Sequence, residues 1–376
     1  MRIKKILFTG GGSGGHVVPI ISIVREMRKL ETGTAFEFFF LGPRDEFSQV
    51  LLSQEGIKVK QIVSGKMRRY GGAKTFFENL FDILFKIPLG IFQSFFHIFL
   101  ISPDLIFSKG GFGSLPVAIS GKLLFVPLFL HEADVIPGLA NKFLGQFTNN
   151  IFVSFPKTEY FPLKKIIPVG NPVRKELLGG SKNQAKETFK TFSEKPVIFI
   201  LGGSQGAQRI NDEILEILPE LLNNFEIIHQ CGENNFKNIK SESKVIINDE
   251  QAKSYHLFPF LKEPEMRQAY ALADLIISRA GSGTIFEIAA SGKPSILIPL
   301  PEAAQNHQVK NAYAYAEKGA AIVIEEANFT SRFFFEKLKY LFSQPSEFQK
   351  MAQAAKEFSK PEAGRIIANY IIDYLK

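Results

Sequence analysis

At 376 residues the chain is too long for one comfortable hydrophobic core, so two domains of roughly 150–200 residues are expected. Its single cysteine, Cys231, excludes an internal disulfide and suits a reducing compartment. The net charge of +8 is one-sided: residues 1–170 hold 20 Lys and Arg against 12 Asp and Glu, while 171–376 hold 25 of each, which points the first half toward acidic lipid, phosphate or nucleic acid.

In chain order, Met1-Arg2-Ile3-Lys4-Lys5 leads straight into a strand and lacks the apolar core and cleavage site of a signal peptide. The strand Lys5–Thr9 runs into Gly10–Gly15. A helix follows over Val17–Leu30, with Ile20, Ile23, Val24 and Met27 on one face. Glu37–Leu41 reads as a strand. Residues 66–101 are basic and then Phe-rich, and Asp104–Ser108 is a strand opening into Gly110–Gly113. Val126–Leu130 is a strand, and the pattern breaks at Pro168-Val169-Gly170-Asn171-Pro172, the expected linker. Val197–Leu201 then runs into Gly202–Gly206, Asp274–Ser278 into Gly281–Gly283, and Ser295–Pro299 is another strand. The last helix, Gly364–Leu375, is expected to return to the first half.

The pairs repeat: ILFTGGGSGG resembles IFILGGSQGA, and PDLIFSKGGFGS resembles ADLIISRAGSGT. One order of loops used twice indicates two similar α/β domains in tandem. Short apolar strands with crossovers imply parallel sheets covered on both faces.

A strand that opens through glycines into a helix start presents free N–H groups and the positive end of the helix dipole, a site for phosphate. Gly10, Gly12 and Gly15 satisfy the G-x-G-x-x-G spacing of a dinucleotide-binding dehydrogenase, but the second strand ends in Gly42-Pro43 without an acid to hold a ribose. His16, directly after the first loop, is placed to act as a base or to meet a pyrophosphate; the bland alternative is a helix-start residue that caps and packs. Thr284 and Glu287 have capping-box spacing, so Glu287 either serves the backbone or is available to ribose hydroxyls. His307 and Gln308 lie in an amide-rich cluster suited to sugar hydroxyls, or to a helix cap. With no metal-ligand spacing and no Asp-x-Asp pair, neither metal nor cofactor is expected. Leaving-group charge would then fall to loop N–H groups, helix dipoles and Arg174.

Residues 66–101 are long and apolar enough to suggest a membrane span. Asp82, Lys86, Pro88, Gln93 and His97 interrupt them, however, and a span would split the first domain. Lys66, Arg68, Arg69 and Lys74 beside the Phe-rich stretch fit a monotopic contact by part of 67–92, against the alternative of a buried helix pair.

Six motifs occur in order: GGGSGGHVVP at 10–19, HEADVIPGLANKFL at 131–144, VGNPVR at 169–174, GGSQGAQRIN at 202–211, SRAGSGTIFEIAASGKPSILIP at 278–299 and NHQVKNA at 306–312. Together they resemble the MurG family of peptidoglycan synthesis over nearly the whole chain. The resemblance implies the α/β GT-B fold, two Rossmann-like domains with parallel sheets facing an inter-domain cleft. It implies 1–170 as an acceptor and membrane-associating domain, 171–355 as a UDP-GlcNAc-binding domain and 356–376 as a returning helix. It also implies inverting transfer of GlcNAc from UDP-GlcNAc to the C4 hydroxyl of undecaprenyl-pyrophosphoryl-MurNAc-pentapeptide, at the cytoplasmic face of the cell membrane and without nucleic acid.

By motif, Ser13, Gly14 and Gly15 would line the acceptor side, with His16 as base or pyrophosphate contact. Arg174 and Ser204 would meet the donor diphosphate, and Leu261 the uracil. Ser282, Gly283, Thr284, Ile285, Phe286 and Glu287 would hold the nucleotide, with Glu287 on the ribose, and His307 and Gln308 would face the donor sugar. Two positions depart from the family: Ser13 replaces a Thr and keeps the hydroxyl, and Asp134 replaces an Asn that contacts substrate. The second departure makes Asp134 a rival base to His16. Other GT-B glycolipid transferases, a UDP-GlcNAc 2-epimerase and a catalytically silent cell-wall scaffold are the competing readings. The basic, Phe-rich segment favours a lipid acceptor, and the nucleotide-side residues argue against a silent scaffold.

Overall fold

The structure is a computed structural model that describes residues 3–11, 14–30, 33–66, 68, 72–156, 160–191, 193–203 and 206–376. The chain forms two compact units, 1–173 with 360–376, and 174–359. The first division lies at 173, not 170, because 169–173 are held by the first unit. Val173 is buried and its carbonyl accepts from Ser22 Oγ at 2.6 Å, and Asn171 is fully buried. The second lies beyond 355 because the helix Pro345–Phe358 runs on, and Phe358 packs against Phe286 and Tyr315.

Among the described residues the first unit has seven parallel strands: β1 (Lys4–Thr9), β2 (Phe36–Gly42), β3 (Lys58–Gln61), β4 (Leu105–Ser108), β5 (Leu128–Glu132), β6 (Asn150–Val153) and β7 (Ile166–Pro168). Their order is β3-β2-β1-β4-β5-β6-β7. Along β1 the side chains alternate between two cores: Ile6 and Phe8 enter one, Leu7 the other. That is why the strand reads as an unbroken apolar run. The sequence places the fifth strand at Val126–Leu130, whereas β5 runs two residues further. His131 and Glu132 are polar but buried in it. The helix Ala363–Leu375 covers this sheet: Gly364 meets Ser22, Tyr370 packs edge-on to Phe152 and Tyr374 to Phe129.

Among the described residues the second unit has six parallel strands: β8 (Val197–Leu201), β9 (Glu226–Gln230), β10 (Tyr255–Phe258), β11 (Leu275–Ser278), β12 (Ser295–Leu297) and β13 (Ala321–Val323), in the order β10-β9-β8-β11-β12-β13. Strand order reverses between β1 and β4 in one unit and between β8 and β11 in the other. Ligands of open α/β sheets bind at the carboxyl ends of strands flanking such a switch point. All four glycine loops leave from those ends.

The Phe-rich segment is one helical run: Ala73–Phe81, a π turn Asp82–Lys86, and Ile87–Ile101. The π turn stands just ahead of Pro88, whose missing N–H breaks the α ladder. One face is bedded in the first unit: Gly90, Ser94 and Ile98 are buried, Gln93 Oε1 accepts from Val63 N–H at 2.8 Å, and Ser120 Oγ donates to the Ile91 carbonyl at 2.8 Å. The 28-residue stretch Lys74–Ile101 is long and apolar enough to cross a membrane, and most of its apolar surface is exposed.

Candidate active site

At the carboxyl ends of β1 and β4 the backbone comes close to a histidine. His16 sits in the first turn of the helix Gly14–Lys29. A Cβ at Gly11 would stand 3.0 Å from its Nδ1, and one at Gly111 would stand 2.9 Å from its Nε2. Gly110 and Gly111 have φ of 84° and 83°, where side chains are rarely tolerated. The imidazole is therefore packed closely between the backbone at Gly11 and the turn at Gly110 and Gly111, whose conformation favours glycine. Gly14 and Gly15 are the first residues of the helix, with Gly15 open to solvent. Ser13 lies outside the described residues.

Behind this loop is a buried polar network that sequence reasoning missed. Lys109 Nζ donates to His131 Nδ1 at 2.6 Å and to Asn171 Oδ1 at 3.3 Å. His131 Nδ1 is therefore an acceptor, so its Nε2 carries the proton and donates to the Gly170 carbonyl at 3.1 Å. Burial, with Lys109 beside it, holds the His131 pKa well below the usual histidine value, so the ring is neutral. Burial also lowers Lys109 to about 8, against the pull of Glu132 and Asp134. Glu132 Oε1 accepts from Asp134 N–H at 2.9 Å, and its Oε2 from Asn141 Nδ2 at 2.7 Å. Burial first, then Asp134, raises Glu132 to about 7. Asn141 in turn backs the loop: a Cβ at Gly110 would stand 2.3 Å from its Oδ1. Asp134 follows β5 in a turn tied to Glu132. Lys109 and Asn171 sit inside motifs visible in the sequence, but no local signal marks them as buried partners.

In the second unit, Arg174 and Glu287 meet. Arg174 Nε and Nη2 donate to Glu287 Oε1 at 3.1 and 2.9 Å, and Tyr270 Oη donates to Oε2 at 3.3 Å. Glu287 raises the guanidinium pKa against the opposing effect of burial. The helix Ser282–Ser291 starts behind Gly281 without a side-chain cap. The Thr284–Glu287 capping box is therefore absent: Glu287 lies a turn into the helix and its carboxylate points to Arg174 and Tyr270. The first N–H groups of that helix, at Ser282, Gly283 and Thr284, have no partners within the helix. Ile285 and Phe286 turn into the core, and the Ile285 N–H already donates to the Gly281 carbonyl at 3.0 Å, so neither side chain is open to a ligand.

Ser204 lies outside the described residues; Gly203 and Gly206, either side of it, have φ of 74° and 80°. Leu261 is buried in the core, and its N–H donates to Gln230 Oε1 at 2.9 Å. His307 Nδ1 donates to the Ala304 carbonyl at 2.7 Å, and Gln308 Oε1 accepts from Leu300 N–H at 3.0 Å. These two side chains hold the bend made by Gln305 and Asn306, whose φ values are 60° and 54°. Tyr270 is a member of this site that no motif in the sequence marks.

Two doubly wound parallel units with glycine loops at each switch point define the GT-B class of fold. The glycosyltransferase family 28 N-terminal domain matches residues 6–153, and its C-terminal domain matches 197–365. The UDP-N-acetylglucosamine–N-acetylmuramyl-(pentapeptide) pyrophosphoryl-undecaprenol N-acetylglucosamine transferase 2 of Bacillus cereus is 37% identical over 371 residues, covering 98% of this chain and 99% of the relative. The crystal structure of Acinetobacter baumannii MurG superimposes with a TM-score of 0.72 at 24% identity, covering 98% of this chain and 99% of that one. A UDP-GlcNAc 2-epimerase from Neisseria meningitidis, bound to UDP-GlcNAc, shares the fold with a TM-score of 0.66 at 16% identity, covering 98% and 100%. The chain belongs to the MurG family of glycosyltransferases.

Proposed function

We propose that the protein transfers GlcNAc from UDP-GlcNAc to the C4 hydroxyl of undecaprenyl-pyrophosphoryl-MurNAc-pentapeptide, the step that completes the lipid-linked disaccharide of peptidoglycan. One observation carries the substrates: near-full-length relatedness to a protein whose name states both donor and acceptor.

The second unit takes the donor. Arg174 and the N–H groups opening the helix Ser282–Ser291 receive the diphosphate, as does the loop holding Ser204. Glu287 accepts from the ribose hydroxyls, Leu261 lies by the uracil, and His307 and Gln308 face the sugar. The first unit takes the acceptor, its pyrophosphate over the loop at Ser13, Gly14 and Gly15. The acceptor oxygen attacks C1 while the bond from C1 to the diphosphate breaks, and the anomeric centre inverts. His16 takes the proton of the attacking hydroxyl. The family carries Asn where this chain has Asp134, and an amide cannot accept that proton, so chemistry shared with the family requires no base at 134. Asp134 then acts through Glu132 and Lys109.

The exposed Phe face of the helical run meets the cytoplasmic surface of the membrane as a peripheral contact, with exposed Lys66 and Lys74 toward anionic headgroups. Arg68 contributes less charge there, because Asp82 and Glu78 hold it.

The test is UDP release from UDP-GlcNAc with and without a lipid I analogue. Acceptor-dependent release and a lipid-linked disaccharide product are expected. Interconversion of the donor without acceptor would replace this reading with an epimerase.

A further inference from the structure

Tyr270 lies on the helix Glu263–Leu272 with its ring edge-on to Phe199 of β8, centroids 5.7 Å apart, and it is 2% exposed. A purely packing residue at such a place is served by Phe, because a buried hydroxyl costs stability unless it is bonded. This hydroxyl is bonded to Glu287 Oε2. A carboxylate only accepts, so the tyrosine donates. Burial, together with Glu287, pushes the phenol pKa well above its ordinary value, so the donor keeps its proton at any working pH. Glu287 Oε1 is held separately by Arg174. The carboxylate is thus gripped at both oxygens from two different elements, and these elements pack on each other: the turn Lys175–Leu177 lies against the Tyr270 helix.

We propose that Tyr270 is a positioning residue of the donor site, whose hydroxyl fixes the Glu287 carboxylate in the orientation that receives the ribose hydroxyls of a nucleoside diphosphate. The proposal rests on the reading of Glu287 as the ribose contact. Arg174 faces a phosphate once the donor arrives and then shares its charge with it. Tyr270 does not change partner, so Glu287 stays in place while its other oxygen is taken over by the ribose.

The experiment compares UDP-GlcNAc with its 2′-deoxyribose analogue in the wild type, Y270F, E287Q and the double variant. Y270F removes one oxygen and no carbon, and melting curves check that its fold is retained. The wild type is expected to favour the ribose donor clearly. Y270F is expected to raise the donor KM on the order of tenfold, the low end for loss of a hydrogen bond to a charged acceptor, with kcat little changed and ribose discrimination reduced. If Tyr270 acts through Glu287, the double variant is no worse than E287Q. Full ribose discrimination in Y270F, or additive losses in the double variant, would overturn the proposal while leaving Glu287 as the ribose contact. No discrimination in the wild type would instead remove the ribose role of Glu287, and the proposal with it.

Discussion

Replacing Phe77, Phe92 and Phe99 together with Ser tests the membrane face directly. These rings are 66%, 72% and 67% exposed, so about two-thirds of each remains to be covered. Full burial of a Phe side chain is worth ~1.5–3 kcal/mol, so each ring has about 1–2 kcal/mol to gain from a lipid surface. Even at the low end, three rings give about 3 kcal/mol, a loss of roughly 100-fold in vesicle partitioning. Co-sedimentation with sucrose-loaded vesicles of phosphatidylglycerol and phosphatidylethanolamine measures it. Because these rings bury little within the fold, the melting temperature should hardly move. Unchanged partitioning of the triple variant would refute the assignment of this face. Partitioning lost only on adding salt would shift the weight to Lys66 and Lys74.

H16A is expected to lower kcat by roughly 100-fold or more, as removal of a general base does; near-normal turnover would eliminate His16 from that role. D134N takes a negative charge from beside Glu132. Glu132 is raised to about 7 in the fold, so its stabilising protonation is complete below the ordinary carboxylate pKa and is lost as pH rises through 7. Melting followed from pH 5 to pH 7.5 should therefore fall less in D134N than in the wild type, by roughly 2–4 °C. Gly90→Ala forces a Cβ to within 2.1 Å of the Val63 carbonyl oxygen, and on the order of 1–3 kcal/mol of stability should be lost, read as a lower melting temperature.

The strands flanking the two switch points, β1, β4, β8 and β11, were legible because both faces of each are buried and the sequence shows uninterrupted apolar residues. β3, reading Lys58-Val59-Lys60-Gln61, was not, because an edge strand with mostly exposed side chains carries no such signal. β5 was misplaced by two residues for the opposite reason. His131 and Glu132 look like loop residues until Lys109 and the Gly170 carbonyl meet the first and Asn141 the second, all from elsewhere in the chain. The same limit applies at the candidate site. Glycine loops are local and were readable, and His16 and Glu287 were marked by their place in a motif. What holds them, Tyr270 for Glu287 and Asn141 behind Gly110, depends on contacts between distant segments. The capping box at Thr284 failed because spacing on a helix predicts only local partners, and Arg174 and Tyr270 compete for the same carboxylate.

The Arg174–Glu287 pair also bears on which anions the second unit accepts. Without a donor the guanidinium already has a carboxylate, so a phosphate that binds Arg174 exchanges one ion pair for another. A full donor offers ribose hydroxyls to Glu287 in return, whereas pyrophosphate offers nothing and leaves a largely buried carboxylate, 12% exposed, short of a partner. Breaking a fully buried pair costs ~3–5 kcal/mol, and discounting for the partial exposure of Arg174 leaves on the order of 1–2 kcal/mol, about a tenfold penalty against the bare anion. In E287Q that penalty disappears. Pyrophosphate should inhibit E287Q more strongly than the wild type, while UDP, deprived of its carboxylate contact, should inhibit it less strongly. Inhibition constants measured side by side settle the point. Parallel weakening of both inhibitors would show that Glu287 only holds Arg174 in place and does not discriminate between them.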